Sequence, residues 1–166
     1  MKELIDKISS YNIFNYLFPG LIYVAILREF TVFDIYQENN FIGAFLYYFA
    51  GLVISRFGSL VIEPILKRLK FVKYASYEDY IAASDKDNKI ELFSEINNMY
   101  RTLIAMLILL LLAKLFEITT NKLDIPQSWE FGILILALLT IFIFSYRKQT
   151  NYVVKRVDAR KTDLIT

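Results

Sequence analysis

The sequence predicts an all-α integral membrane protein with four transmembrane helices, and three observations carry this prediction. Hydrophobic residues make up 56% of the 166-residue chain, more than an ordinary soluble domain contains. The apolar residues gather in four long stretches, and the charged residues lie mostly between these stretches and at the ends of the chain. The 14 phenylalanines and 12 tyrosines are concentrated in the stretches and at their edges, where aromatic rings suit the membrane interface.

Each apolar stretch is close to the length that a helix needs to cross a hydrocarbon core of about 30 Å. All four belong to a single membrane domain over residues 1–166, with predicted spans at 11–28, 41–66, 99–118 and 130–147. In the first span, Pro19 and Gly20 are expected to kink or loosen the helix near its middle.

The second and third helices are the longest and are expected to extend into the cytosol. A helical hairpin over residues 67–98 joins them, and its second part is predicted to run into the third span as one continuous helix over 86–117. A basic cytosolic tail, 147–166, follows the fourth span. Residues 1–10 are either a short amphipathic interfacial segment or a capped helix start, and the acidic Glu3 and Asp6 argue against a signal peptide.

The distribution of basic residues predicts the orientation of the chain. Of the 19 lysines and arginines, 15 lie in residues 1–10, 67–101 and 147–166, which are the regions before the first span, between the second and third, and after the fourth, together with the adjoining span ends. Four spans put these three regions on the same side, and cytoplasmic segments are enriched in Lys and Arg. We therefore expect both ends in the cytosol, and a multi-pass protein of the cell inner membrane.

The composition also limits the chemistry. The chain contains no cysteine and no histidine, which excludes disulfides, thiol nucleophiles, catalytic triads with histidine, and zinc or haem ligation by these residues. No phosphate-binding loop, dinucleotide-binding glycine motif, metalloprotease motif or nucleophile elbow is present. We expect a protein that is not an enzyme and that holds no metal or cofactor.

The leading candidate site is the pair Arg56 and Glu63 in the second span. Seven residues apart, they are expected to share one side of the helix. Charged residues within membrane spans usually face protein or water, so the pair predicts a charged lining for a water-filled path or a contact between subunits. Alternatively, the two residues form an intramolecular ion pair, or Arg56 extends to lipid phosphates.

Small and polar residues in the first two spans predict helix contacts. Ser55 and Ser59 follow Gly51 at four-residue spacing, which permits close approach of helices, and we expect this face to mediate assembly of subunits. Asn12 and Asn15 lie on one face of the first span, where a packing role is favoured over ligand binding.

A basic cluster begins where the second span ends. It comprises Lys67, Arg68, Lys70 and Lys73, to which Arg101 is added at the start of the third span. The cluster is expected either to contact anionic lipid headgroups or, with the neighbouring tyrosines, to bind an anionic ligand or RNA.

Two short motifs resemble those of a known group of proteins. One is Tyr11-Asn12-Ile13-Phe14-Asn15 running to Pro19-Gly20, and the other is Asn97-Asn98-Met99-Tyr100-Arg101-Thr102. Both resemble small four-span bacterial membrane proteins of anti-phage defence loci, which include accessory proteins of CRISPR effectors and transmembrane effectors of nucleotide-signalling and retron systems. The resemblance implies an oligomeric inner-membrane protein that perturbs the membrane when a cytosolic partner detects infection. One accessory group carries an RNase-like Arg-to-His motif, which this histidine-free chain lacks.

The leading functional hypothesis is therefore a homo-oligomeric effector that permeabilises the lipid bilayer under the control of a cytosolic protein, an RNA or a nucleotide signal. No DNA partner is expected. A non-catalytic membrane anchor that recruits a soluble partner through the hairpin is the first alternative. A small transporter or lipid flippase is the second.

Overall fold

The computed structural model of the chain describes residues 12–162, with side chains through residue 159. The predicted amphipathic segment 1–10 lies outside the described residues. Within the described range the chain forms helices joined by short loops, with no strand, and the five helices are α1 (Ile13–Phe30), α2 (Asn40–Arg68), α3 (Tyr77–Ser84), α4 (Lys89–Lys122) and α5 (Gln127–Thr162).

Four of these helices are long and apolar enough to cross a membrane, as the sequence predicts. They are Ile13–Phe30, Asn40–Arg68, Lys89–Lys122 and Gln127–Ala159. The chain is thus a multi-pass membrane protein by length and composition of its helices.

Within the described residues the two longest helices are α4 and α5, with 34 and 36 residues, so the expectation that the second and third spans belong to the longest helices is wrong for the second. The continuous helix expected over 86–117 is present as α4, whose 34 residues give a length of about 51 Å. The basic segment after residue 147 was expected as a separate tail, but it continues α5 to Thr162. Neither glycine nor proline stands between 147 and 162, so nothing local stops the helix.

Local signals set the other helix boundaries. The Asn39 side chain accepts hydrogen bonds from the backbone N–H groups of Phe41 and Ile42 and begins α2. At the other end of α2, Lys70 adopts a left-handed conformation with φ 57°. The N–H groups of Lys70 and Phe71 then bond back to the last turn, which is the arrangement of a Schellman motif.

Both α1 and α2 contain a wide π-helical turn next to a proline. The wide turns are Ile13–Leu17, just before Pro19, and Gly58–Ile62, just before Pro64. A proline has no N–H to donate, and its ring crowds the carbonyl four residues earlier, so the preceding turn widens. The kink expected at Pro19 and Gly20 therefore takes the form of a widened turn.

The helices α1 and α2 cross in backbone contact. A Cβ atom on Gly20 would overlap the carbonyl oxygen of Tyr47, and a Cβ on Gly51 would overlap that of Tyr16. Only glycine permits this approach. The crossing brings the buried faces of both helices against α4 and forms the centre of the bundle.

The fourth candidate span is peripheral. Its most apolar stretch has no residue buried within the chain, whereas the corresponding stretches of the other three spans are 28–39% buried. One of its contacts within the bundle is the stacked pair of Phe142 and Phe49, with ring centroids 6.0 Å apart. The exposed face of α5 is thus available to lipid or to another subunit.

Candidate functional site

A buried carboxylate lies where α2, α4 and α5 meet. The side chain of Glu63 is only 6% exposed, and it directly follows the wide turn Gly58–Ile62. Its Oε1 atom accepts a hydrogen bond of 2.7 Å from Lys67 Nζ, one turn later in α2. Its Oε2 atom accepts one of 2.6 Å from Arg101 Nη1 of α4. One carboxylate therefore joins α2 to α4, although the two bonded residues are 38 positions apart in the sequence.

A third cation, Lys148 of α5, completes the arrangement. Its Nζ lies 3.7 Å from Glu63 Oε2 and donates hydrogen bonds of 2.7 Å to both the carbonyl oxygen and the Oγ of Ser59. We refer to Ser59, Glu63, Lys67, Arg101 and Lys148 as the Glu63 cluster. It holds three cations and one carboxylate.

The bond from Lys148 to the Ser59 carbonyl follows from the wide turn. In this turn the N–H of Glu63 bonds to the carbonyl of Gly58, five residues back. The equivalent donor for the Ser59 carbonyl would be Pro64, which has no N–H. A buried carbonyl without a partner is costly, and the lysine from α5 supplies the missing donor.

Tyrosines connect this cluster to the predicted hairpin. Lys67 Nζ lies 3.9 Å from the ring centroid of Tyr74, a cation–π contact. Tyr77, the first residue of α3, packs against Tyr152 of α5 with ring centroids 6.3 Å apart. Lys148 Nζ lies 5.8 Å from the Tyr152 ring. We call Tyr74, Tyr77 and Tyr152 the tyrosine rim.

Arg56, expected to share a side of the helix with Glu63, does not pair with it. The wide turn between them adds one residue and rotates the later part of α2 by about 100° relative to a regular helix. Among the described residues Arg56 is half-buried and forms no ion pair, while Glu63 is bound by the three cations of its cluster.

The small residues of α2 face the interior of the chain. Ser55 is buried and accepts a hydrogen bond of 3.3 Å from Thr102 of α4, and Ser59 is bound by Lys148. Gly51 contacts α1. The face expected to join subunits is therefore filled by helices of the same chain.

The two asparagines at the start of the first span differ in burial. Asn15 is 2% exposed, and its Oδ1 atom has no hydrogen-bond partner among the described residues. Asn12, one turn earlier, is half-buried. Asn15 is thus enclosed within the chain, and the packing role expected for this face stays a prediction.

The predicted basic cluster divides into two parts. Lys67 and Arg101 turn toward Glu63, whereas Arg68, Lys70 and Lys73 are exposed. The sequence does not single out Lys148, which lies in the segment predicted as a basic tail. Pro64 signals a missing backbone donor in the turn before it, but in a regular helix the unpartnered carbonyl would be that of Leu60 and not of Ser59, and nothing in the sequence indicates which helix supplies a donor.

The opposite end of the bundle carries a smaller polar contact. Glu117 of α4 is bound by Lys114 Nζ, 3.0 Å from each carboxylate oxygen, and by the backbone N–H of Val32 at 3.3 Å. This contact attaches the segment after α1 to the end of α4. Elsewhere in the chain, residues 12–162 offer no group of three acidic side chains placed to hold a metal ion.

Comparison with known proteins identifies no matching protein family, no similar curated protein and no similar solved structure.

Proposed function

We propose that the protein is a non-enzymatic, oligomeric effector of the inner membrane that permeabilises the bilayer when its cytosolic hairpin engages a partner. The observation that carries this proposal is the Glu63 cluster, which couples the hairpin to three membrane helices. Lys67 contacts both Glu63 of the cluster and Tyr74 of the hairpin. Glu63 in turn binds Arg101 of α4 and lies next to Lys148 of α5.

The coupling has an electrostatic basis. Displacing Tyr74 would move Lys67, because the two side chains are in contact. Loss of the hydrogen bond from Lys67 would leave the buried Glu63 carboxylate with two cations, Arg101 and Lys148. A buried charge that loses a partner raises the free energy of the protein, so the helices that carry the remaining charges are expected to shift. A cytosolic event at the hairpin thereby acts on α2, α4 and α5 together.

Assembly is proposed to use α5 rather than the small-residue face of α2. The α2 face is occupied within the chain, whereas the apolar stretch of α5 is unburied. Arg56 remains the candidate for lining a path, since it is half-buried in a span and has no ion-pair partner among the described residues. A role in anti-phage defence, triggered by a cytosolic protein or an RNA or nucleotide signal, rests on the resemblance of the two sequence motifs.

The test is dye release from liposomes that contain the purified full-length chain, combined with its oligomeric state in detergent. We expect an oligomer, and we expect Glu63→Gln to release more dye than Glu38→Gln, which removes an exposed carboxylate outside the cluster. A monomer that leaves liposomes sealed in both variants would contradict the proposal.

The second candidate function is a membrane anchor that recruits a soluble protein. It is favoured by exposed apolar side chains on the part of α4 that precedes Arg101, where Leu92 is 53% and Phe93 is 63% exposed. For this function, Leu92→Ser with Phe93→Ser would abolish co-purification of the partner, while Arg56→Ala would have no effect.

A transporter or flippase has less support. The groove between α1 and α4 measures about 240 Å³ and is lined by Ile26, Phe30, Leu107, Leu110 and Leu111. These side chains offer no polar group to orient a substrate.

A further inference from the structure

We infer that the Glu63 cluster is a binding site for a phosphate-bearing anion. This inference deepens the proposed function, since it assigns a ligand to the same cluster. The inference is tested by ligand binding alone. Binding can therefore be absent while dye release is observed, and dye release can be absent while binding is observed.

The first argument is the charge balance. Lys67, Arg101 and Lys148 are all within 4.0 Å of one carboxylate, Glu63, which leaves an excess of two positive charges. No other acidic side chain forms an ion pair with these three cations among the described residues. Excess charge of one sign in a partly desolvated site attracts a counterion strongly, because water screens it poorly.

The second argument is access. The side chain of Arg101 is 15% exposed, that of Lys148 is 26% exposed, and that of Lys67 is 43% exposed. Lys67 is therefore the most open of the three to a ligand, while Lys148, whose Nζ is bonded to Ser59, and Arg101 support the positive potential behind it. Glu63 is nearly inaccessible, so an approaching anion meets the cations rather than the carboxylate.

The third argument is the composition of the surroundings. Lys67 and Lys148 each lie over a ring of the tyrosine rim, Tyr74 and Tyr152. Phenolic O–H groups donate to phosphate oxygens, and lysines bind phosphate as point charges. Arg68 and Lys70, exposed at the end of α2, add to the positive potential on the approach.

Phosphate reaches such a site from two sources. One is the headgroup of an anionic lipid, since the cluster lies where α2 and α4 leave their most apolar segments. The other is a soluble phosphate in the adjoining aqueous phase. The chemistry recognised is the same, and only the binding experiment separates the sources.

The experiment uses the full-length chain in a neutral detergent. Binding of phosphatidylglycerol, of phosphatidylcholine and of radiolabelled inorganic phosphate is measured for the wild type, Lys67→Gln and Lys67→Arg. The matched control is Lys122→Gln, which removes an exposed lysine from the last turn of α4.

We expect the wild type to bind phosphatidylglycerol or inorganic phosphate in preference to phosphatidylcholine. Lys67→Gln should weaken that binding about fivefold, the effect of one lysine near a membrane surface, and Lys67→Arg should restore it. Lys122→Gln should bind as the wild type does. Binding of phosphatidylglycerol alone identifies the lipid as the source, and binding of inorganic phosphate identifies the soluble one.

Two outcomes would overturn the inference. One is equal binding of phosphatidylglycerol and phosphatidylcholine with no retention of inorganic phosphate. The other is binding that Lys67→Gln and Lys122→Gln weaken to the same extent. Because Glu63 keeps Arg101 and Lys148 in Lys67→Gln, we expect this variant to fold, and its helicity by circular dichroism verifies that.

Discussion

Glu63 and Pro64 are neighbours in the sequence, and each creates a requirement that a distant helix meets. Pro64 leaves the Ser59 carbonyl without a backbone donor, and Lys148 of α5 donates to it at 2.7 Å. Glu63 is buried and charged, and Arg101 of α4 binds it at 2.6 Å. Single residues thus decide which helices must lie next to the end of α2.

Removing the carboxylate tests the electrostatic part of this arrangement. In Glu63→Gln three partly buried cations lose the carboxylate that is their one acidic partner among the described residues, and we expect a loss of about 2 kcal/mol in unfolding free energy. The measurement is unfolding in mixed detergent micelles. The control Glu38→Gln, in an exposed loop, should stay within about 0.5 kcal/mol of the wild type.

The role of Pro64 is tested by a double-mutant cycle with Lys148. Lys148→Met leaves the Ser59 carbonyl without its donor and should cost about 1–3 kcal/mol of unfolding free energy. Pro64→Ala restores a backbone N–H in the wide turn, so Lys148→Met should cost about 1 kcal/mol less in that background. Strict additivity of the two changes would mean that the carbonyl does not depend on the lysine.

At the scale of elements, the crossing of α1 and α2 is the most demanding contact. Gly20 faces the backbone of α2, and Gly51 faces that of α1, at distances that no side chain permits. In contrast, α5 packs loosely, and Gly132 at its start has nothing within 4 Å of the position of a Cβ atom. Adding a methyl group at a glycine should therefore destabilise the crossing of α1 and α2 far more than it destabilises α5.

Alanine substitutions at these glycines test that difference. Gly20→Ala and Gly51→Ala must force the helices apart, and we expect each to lower the unfolding free energy by about 2 kcal/mol or more. Gly132→Ala should be neutral or stabilising by up to about 1 kcal/mol, because alanine favours helix and meets no neighbour. Equal effects at all three positions, measured by unfolding in micelles, would contradict the close crossing.

At the scale of the whole molecule, polar contacts gather at two levels of the bundle. The Glu63 cluster marks one level and the Glu117 contact the other, and apolar segments of α1, α2 and α4 pack between them. The basic residues after α2 and late in α5 lie toward the Glu63 level. The predicted orientation puts that level on the cytosolic side.

Cysteine labelling tests the orientation directly, because the natural chain has no cysteine. Ala75→Cys lies in the exposed segment before α3, and Ser128→Cys lies in the exposed first turn of α5. With a membrane-impermeant maleimide, we expect intact spheroplasts to label Ser128→Cys and only lysed ones to label Ala75→Cys. The reverse pattern would invert the proposed topology and move the hairpin to the outside.

Much of the architecture could be predicted because it depends on local signals. The four apolar stretches and the continuous helix that is present as α4 both follow from composition and periodicity. The continuation of α5 past residue 147 was missed, because its polar composition suggested a separate tail. A helix needs no apolar composition once it is attached to one that is already formed.

The candidate site could be predicted only in part. Glu63, Lys67 and Arg101 were singled out from the sequence, but Glu63 was paired with Arg56 on the assumption of a regular helix. The wide turn Gly58–Ile62 rotates the two apart. A signal for that turn existed in Pro64, whose missing N–H makes a regular turn before it unfavourable.

The sequence by itself determined that this chain forms helices of membrane-spanning length, where their charges lie along them, and that cysteine and histidine chemistry is absent. These properties depend on residue type and on spacing along one helix. Only the tertiary structure decided that Arg101 and Lys148 meet at Glu63 and that glycine brings α1 and α2 into backbone contact. The ion pairs of Glu63 with Arg101 and Lys148 join residues 38 and 85 positions apart, where spacing along the chain no longer specifies distance in space.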